Sequence, residues 1–208
     1  ALVDLNGDGL LELVVGEEKG FVKIYKNLGN NTFENWDGLL PRGFRNRGFS
    51  KPSFADIDQD GDQDLVVGDK YGHVELFLNI GSPFKPEFAQ PSLSEYFAVA
   101  SPHAAPAFHV TKTNEDVKLV VGTAASGLTL YRQAPKPTSY KDATEGTLVL
   151  VDLLNDELLI EGRTRSKPTF LDFDGDGTLD LVVGDKSGAL YFHRGESSDE
   201  FHLKFQKS

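Results

Sequence analysis

Three short stretches of this sequence concentrate oxygen ligands at fixed spacing. Asp4, Asn6, Asp8 and Glu12 form the first, Asp56, Asp58, Asp60 and Asp64 the second, and Asp172, Asp174, Asp176 and Asp180 the third. Each follows Asp-x-(Asp/Asn)-x-Asp-Gly-x-x-(Asp/Glu). Oxygens at positions 1, 3 and 5 converge when the chain coils around one point, and the glycine at position 6 (Gly9, Gly61, Gly177) permits that coil. A backbone carbonyl at position 7 (Leu10, Asp62, Thr178) can add a ligand, and the acid at position 9 closes the shell. Without a cation, several carboxylates held within a few ångströms would repel one another. The chemistry predicted is therefore binding of a hard divalent cation at three sites. Calcium is preferred to magnesium, because a carboxylate-rich cage made wholly of protein suits the larger, more adaptable ion. One such loop alone would read as an ordinary acidic turn; three at matching places do not.

An EF-hand does not fit. Its loop needs a Glu at position 12 and a helix on either side. Position 12 here is Val15, Val67 or Val183, inside an apolar run.

The loops recur because the sequence does. Leu-Val-Val-Gly ends at Gly16, Gly68, Gly122 and Gly184, at intervals of roughly 50–60 residues. Two copies open with Ser-Lys-Pro (Ser50–Pro52 and Ser166–Pro168), and Ala104-Ala105-Pro106 precedes another. That lead-in is missing before Ala1, which points to a processed or partial polypeptide. Downstream of each repeat glycine, a second glycine (Gly20, Gly72, Gly127, Gly188) marks a tight turn. A segment of period-two alternation follows, as in Val74, Leu76 and Leu78, and then an aromatic segment. Each unit thus predicts four antiparallel strands, the content of one propeller blade. The expected fold is all-β, a β-propeller of four-stranded antiparallel blades. Its approximate units are 1–48, 49–102, 103–163 and 164–208, within a single domain over 1–208. The third unit is degenerate: Val110, Lys112, Asn114 and Lys118 stand at the ligand positions, and two lysines predict no metal there.

Composition narrows the function. The net charge of −11 argues against nucleic acid as a partner, and the absence of cysteine excludes disulfides and thiol chemistry. No apolar run approaches the ~20 residues of a membrane helix. The five histidines (His73, His103, His109, His193, His202) have no metal-ligand spacing, and no nucleophile elbow is present. Arg42, Arg45 and Arg47, near Trp36, Phe44 and Phe49, read as an exposed inter-unit connection, with a ligand-facing loop as the alternative. Asn30-Asn31-Thr32 is a glycosylation sequon.

The acidic loop running into Leu-Val-Val-Gly, a glycine turn and then Asn-x-Gly-x-x-x-Phe resembles the FG-GAP/VCBS repeat, which also forms the integrin α-subunit propeller. The tail is present as Asn27-Leu28-Gly29 leading to Phe33, and as Asn79-Ile80-Gly81 leading to Phe84. The resemblance implies a propeller of about seven blades, with calcium in the hairpin loop between a blade's first two strands. Against that pattern four units are few, so the chain is either a compact four-bladed ring or part of a larger one. The resemblance also implies an extracellular, secreted or cell-surface recognition or adhesion module for protein or carbohydrate ligands, without catalysis. A propeller scaffold in a secreted polysaccharide-acting enzyme, or a structural subunit of a surface filament or assembly, are the alternatives.

Overall fold

The computed structural model describes residues 1–57, 60–82, 84–89, 96–98, 102–110, 117–124, 128–133, 150–152, 165–195 and 205–207. Among the described residues, every strand belongs to one of four antiparallel sheets, each a meander of four strands in chain order. The first holds β1 (Leu2–Val3), β2 (Glu12–Gly16), β3 (Val22–Asn27) and β4 (Phe33–Asn35). β5 (Lys51–Ala55), β6 (Asp64–Gly68), β7 (His73–Phe77) and β8 (Tyr96–Ala98) make the second. In the third are β9 (Ala105–Val110), β10 (Val117–Gly122), β11 (Leu128–Gln133) and β12 (Leu150–Asp152). The fourth comprises β13 (Lys167–Leu171), β14 (Asp180–Gly184), β15 (Leu190–Gly195) and β16 (Phe205–Lys207). The fold is all-β, of blade-like sheets, as the sequence predicts.

The Leu-Val-Val runs are continuous rather than alternating because both faces of the second strand are covered. Leu65 and Val67 join Val14, Ile24 and Phe77 in a cluster between the first and second sheets. Val66, between them in sequence, packs on the opposite side with Leu119 and Val121 of the third sheet. Leu181 and Val183 in turn pack with Leu128 of the third sheet. The two end sheets differ. Val15 is 37% exposed and Val182 only half-buried, each on the face that its counterpart buries in the middle sheets.

The repeat glycine lies where successive units touch. A Cβ on Gly16 would overlap the Ser50 carbonyl and lie 2.8 Å from Pro52 Cδ. Gly68 meets Ala104 and Pro106 in the same way, and Gly122 meets Ser166 and Pro168. The lead-in that opens each unit is thus pressed onto the Leu-Val-Val strand of the unit before it. Backbone hydrogen bonds fasten the joint: Ser50 N–H donates to Glu17 O (3.1 Å) and Ser166 N–H to Thr123 O (3.1 Å). The arginine-rich connection braces the same joint. Arg45 Nε donates to Lys19 O at 2.8 Å, and Arg47 lies 4.0 Å from the buried Asp69. Phe44 stacks edge-on against Phe77 at 4.9 Å.

Candidate metal centre

Each acidic loop closes the hairpin between the first two strands of its sheet. The ninth-position acid pairs with the residue just before the loop: Val3 with Glu12, Ala55 with Asp64, Leu171 with Asp180. Within the loops, carboxylates and amides organise the backbone. In the first, Asp4 accepts hydrogen bonds from Gly7 N–H (2.7 Å) and Gly9 N–H (2.9 Å), Asn6 from Asp8 N–H (3.0 Å), and Asp8 from Leu10 N–H (2.9 Å). The second repeats this with Asp56 receiving Asp60 and Gly61 N–H, and Asp60 receiving Asp62 N–H, each at 3.1 Å. In the fourth sheet's loop Asp172 takes Gly175 and Gly177 N–H, Asp174 takes Asp176 N–H, and Asp176 takes Thr178 N–H at 2.7 Å. Gly9, Gly61 and Gly177 all carry positive φ (83°, 100° and 82°), the conformation required of position 6.

The side chains of Asp172, Asp174 and Asp176 converge, offering carboxylate oxygens that all lie within 4.8 Å of one another. Three exposed hard oxygens at that separation are a donor set that fits a calcium-sized cation. A protein cation is already drawn to them: Arg194 Nη2 lies 2.6 Å from Asp174 Oδ2 and 3.3 Å from Asp176 Oδ2. Hydrogen bonds from the Thr178 backbone, then from its side chain and from Arg194, hold the Asp176 carboxyl below its usual range against a smaller opposing effect of burial. Among the described residues, the first and second loops form no such group of three carboxylates. Asn6 supplies an amide to the first, and Asp58 of the second lies outside the described residues. Lys112 and Asn114 of the third unit also lie outside them, while Val110 and Lys118 fall in β9 and β10.

The ninth-position acid has a duty the spacing did not reveal. Glu12, Asp64 and Asp180 are fully buried, and both oxygens of each accept backbone hydrogen bonds. One oxygen takes the N–H at loop position 2, from Leu5 (2.8 Å), Ile57 (2.8 Å) or Phe173 (2.9 Å). The other takes an N–H from the end of the third strand or just beyond it: Asn27 (3.4 Å), Asn79 (2.8 Å) or Gly195 (2.8 Å). Burial pushes the Glu12 carboxyl up, the hydrogen bonds from Leu5 and Asn27 oppose this, and Asp8 and Asp4 add to it. The acid therefore ties the acidic loop to the third strand, whatever else its lone pairs do. Asp64→Ala should cost about 2–4 kcal/mol in calcium and chelator alike, because it strands two buried N–H groups. Asp174→Ala, on the exposed side, should be close to neutral in chelator and destabilising only in calcium. Urea melts of both variants in both buffers check this, and equal calcium dependence of the two would refute the division of labour.

A second carboxylate role was also unread. The residue after the repeat glycine caps the following turn: Asp69 accepts Tyr71 N–H (2.7 Å), His73 N–H (2.9 Å) and His73 Nδ1 (2.9 Å). Asp185 does likewise for Ser187 and Ala189 N–H. The Asp-Lys-x-Gly spelling at both turns was the available signal.

Residues 4–67 match the family described as the FG-GAP-like repeat. The integrin alpha-3 of Cricetulus griseus is 38% identical over 79 residues, a match covering 33% of this chain and 8% of that relative's length. Among the described residues, no helix is long and apolar enough to cross a membrane.

Proposed function

From residues 4–67, which carry the FG-GAP-like repeat, we propose that this chain is an extracellular recognition or adhesion module whose acidic loops bind structural calcium. The observation that carries the reading is the convergence of Asp172, Asp174 and Asp176 within 4.8 Å. The Asp4 and Asp56 loops reproduce its backbone wiring, which extends the reading to three ions. Leu10, Asp62 and Thr178 would contribute carbonyls to the shells. The ions stiffen hairpin ends rather than perform chemistry, and the module works by binding rather than by catalysis. Similarity to an integrin α subunit supports a protein ligand and a cell-surface setting, where even weak calcium sites are filled. The half-covered outer faces of the first and fourth sheets, at Val15 and Val182, support further blades beside them in a larger ring.

Calorimetric titration of the chelator-stripped chain with calcium tests the metal reading; the expected result is three ions bound. Arg194 must leave Asp174 and Asp176 when an ion enters the fourth sheet's loop, and the equivalent position is Lys26 in the first unit and Leu78 in the second. Lys26 instead lies over the Trp36 ring, 5.3 Å from its centroid. Arg194→Gln should therefore tighten one of the three sites by up to about fivefold, the worth of an exposed ion pair. No heat of binding in either protein would reject calcium; three unchanged sites would reject only the competition.

A further inference from the structure

Three residues in the left-handed region stand at equivalent places. Phe49, His103 and Arg165 have φ of 55°, 63° and 58°, and each immediately precedes a lead-in opening β5, β9 or β13. A backbone that asks for glycine or asparagine here instead carries a phenyl, an imidazole and a guanidinium. The preceding unit's turn holds each in place: Phe49 N–H donates to Glu18 O (2.9 Å), His103 N–H to Lys70 O (3.0 Å), and Arg165 N–H to Ala124 O (3.3 Å). Strain of this kind persists where packing over-determines it and gathers at binding sites.

The side chains gather along one edge. β9 packs against both β5 and β13, which brings the three lead-ins side by side. The Phe49 and His103 rings meet edge-to-face at 6.0 Å, and Lys51 Nζ donates to the His103 carbonyl at 2.8 Å. Lys51 opens β5 and Lys167 opens β13. Burial first, then the charges of Lys167 and Arg165, bring the Lys51 ammonium down to about 8. Burial, Lys51, Arg165 and Lys70 likewise depress the His103 imidazole. Among the described residues, the acid opposing this at Lys51 is Asp69, which is buried and already bonded to His73 and its own turn. Although the chain's net charge is −11, cations gather and repel one another along this edge. Phe49 and Arg165 are exposed beside them.

We propose that Phe49, His103 and Arg165, with Lys51 and Lys167, form a docking strip for an acidic peptide. Carboxylates would meet the two lysines and the guanidinium, and apolar side chains would cover Phe49 and the His103 ring. This deepens the recognition reading by naming the partner's chemistry. It is independent of calcium, since the strip lies at the ends of β5 and β13 opposite the acidic loops.

The test uses the full chain and a fluorescein-labelled hexapeptide of alternating Asp and Leu, read by anisotropy at low salt in calcium and again in chelator. Saturable binding is expected in calcium and in chelator alike, with an Asn-Leu analogue at least about tenfold weaker in both. Arg165→Glu/Lys167→Glu should abolish binding, and Phe49→Ala should weaken it several-fold. Lys186→Glu, on the exposed turn of the fourth unit, should leave it unchanged. If the charge reversal unfolds the chain, Arg165→Gln/Lys167→Gln takes its place, with a loss of about tenfold expected. Equal binding of the two peptides, equal loss in Lys186→Glu, or tighter binding of an oligogalacturonate would overturn the proposal. A failed peptide titration beside intact calcium binding removes the strip and leaves the calcium-stiffened module standing.

Discussion

Stripping calcium from this chain should lower its melting temperature by roughly 20 °C. Each loop saturated at about a hundred times its dissociation constant adds ~2.7 kcal/mol, so three loops together add about 8 kcal/mol. For a chain of this size, 1 kcal/mol moves the midpoint by about 2–4 °C. The size of the effect follows from how the loops are built. Their inward N–H groups are satisfied by Asp4, Asp56 and Asp172, so the coil is formed by the protein itself. What remains is the repulsion among the outer carboxylates, which in the fourth sheet's loop the exposed Arg194 partly relieves. A divalent ion removes that repulsion and bonds to nothing comparable in the unfolded chain. Magnesium should recover only a small part, because it demands octahedral geometry and gives up its water reluctantly. Scanning calorimetry in calcium, magnesium and chelator makes the comparison; superimposable traces would reject the calcium reading.

The repeat made the sheets legible, because period and strand content survive in every unit, including the third, where the acidic loop does not. The continuous Leu-Val-Val run was legible as a strand, but its two-sided burial needed neighbours on both sides of Leu65, Val66 and Val67. The acidic loops were legible as hairpin coils, since spacing alone places the position-1 carboxylates of Asp4, Asp56 and Asp172 against the N–H of the position-6 glycine. Whether an oxygen faces outward or inward is another matter. Asp64 opens a strand and is buried, so its carboxylate meets the N–H groups of Ile57 and Asn79, a pairing that depends on the third strand's register. Arg194 was illegible for a similar reason, lying 18 residues from Asp176 at a position that holds Lys26 and Leu78 elsewhere. Phe49, His103 and Arg165 went unread because local propensity argues against positive φ in all three. The carbonyls of the preceding turn impose it.

Alanine at Gly16, Gly68 or Gly122 should destabilise the chain by about 4 kcal/mol or more, while Gly184→Ala should cost less than about 1 kcal/mol. The four glycines occupy the same place in the repeat, so propensity predicts four equal effects. Contact predicts otherwise. A methyl at any of the first three would collide with a backbone carbonyl of the next lead-in and crowd a proline Cδ at 2.6–2.8 Å. Neither neighbour can swing aside. The carbonyl belongs to a residue, Ser50 or Ser166 in two of the three cases, whose own N–H is tied back across the joint, and the proline ring fixes the chain beside it. Relief requires the two sheets to part, which would open clusters holding Leu65, Val67, Leu119 and Val121. At Gly184 the added methyl would meet only Leu190 Cδ2 at 3.5 Å among the described residues, an ordinary contact with a side chain that is itself 77% exposed. Denaturant melts of the four single variants decide between the two accounts. Four similar midpoints would mean that the glycines serve strand conformation; a split of three against one would identify them as the seats on which successive units dock. If a longer protein containing this chain places a further unit against the fourth sheet, Gly184→Ala should turn from mild to severe in that context alone.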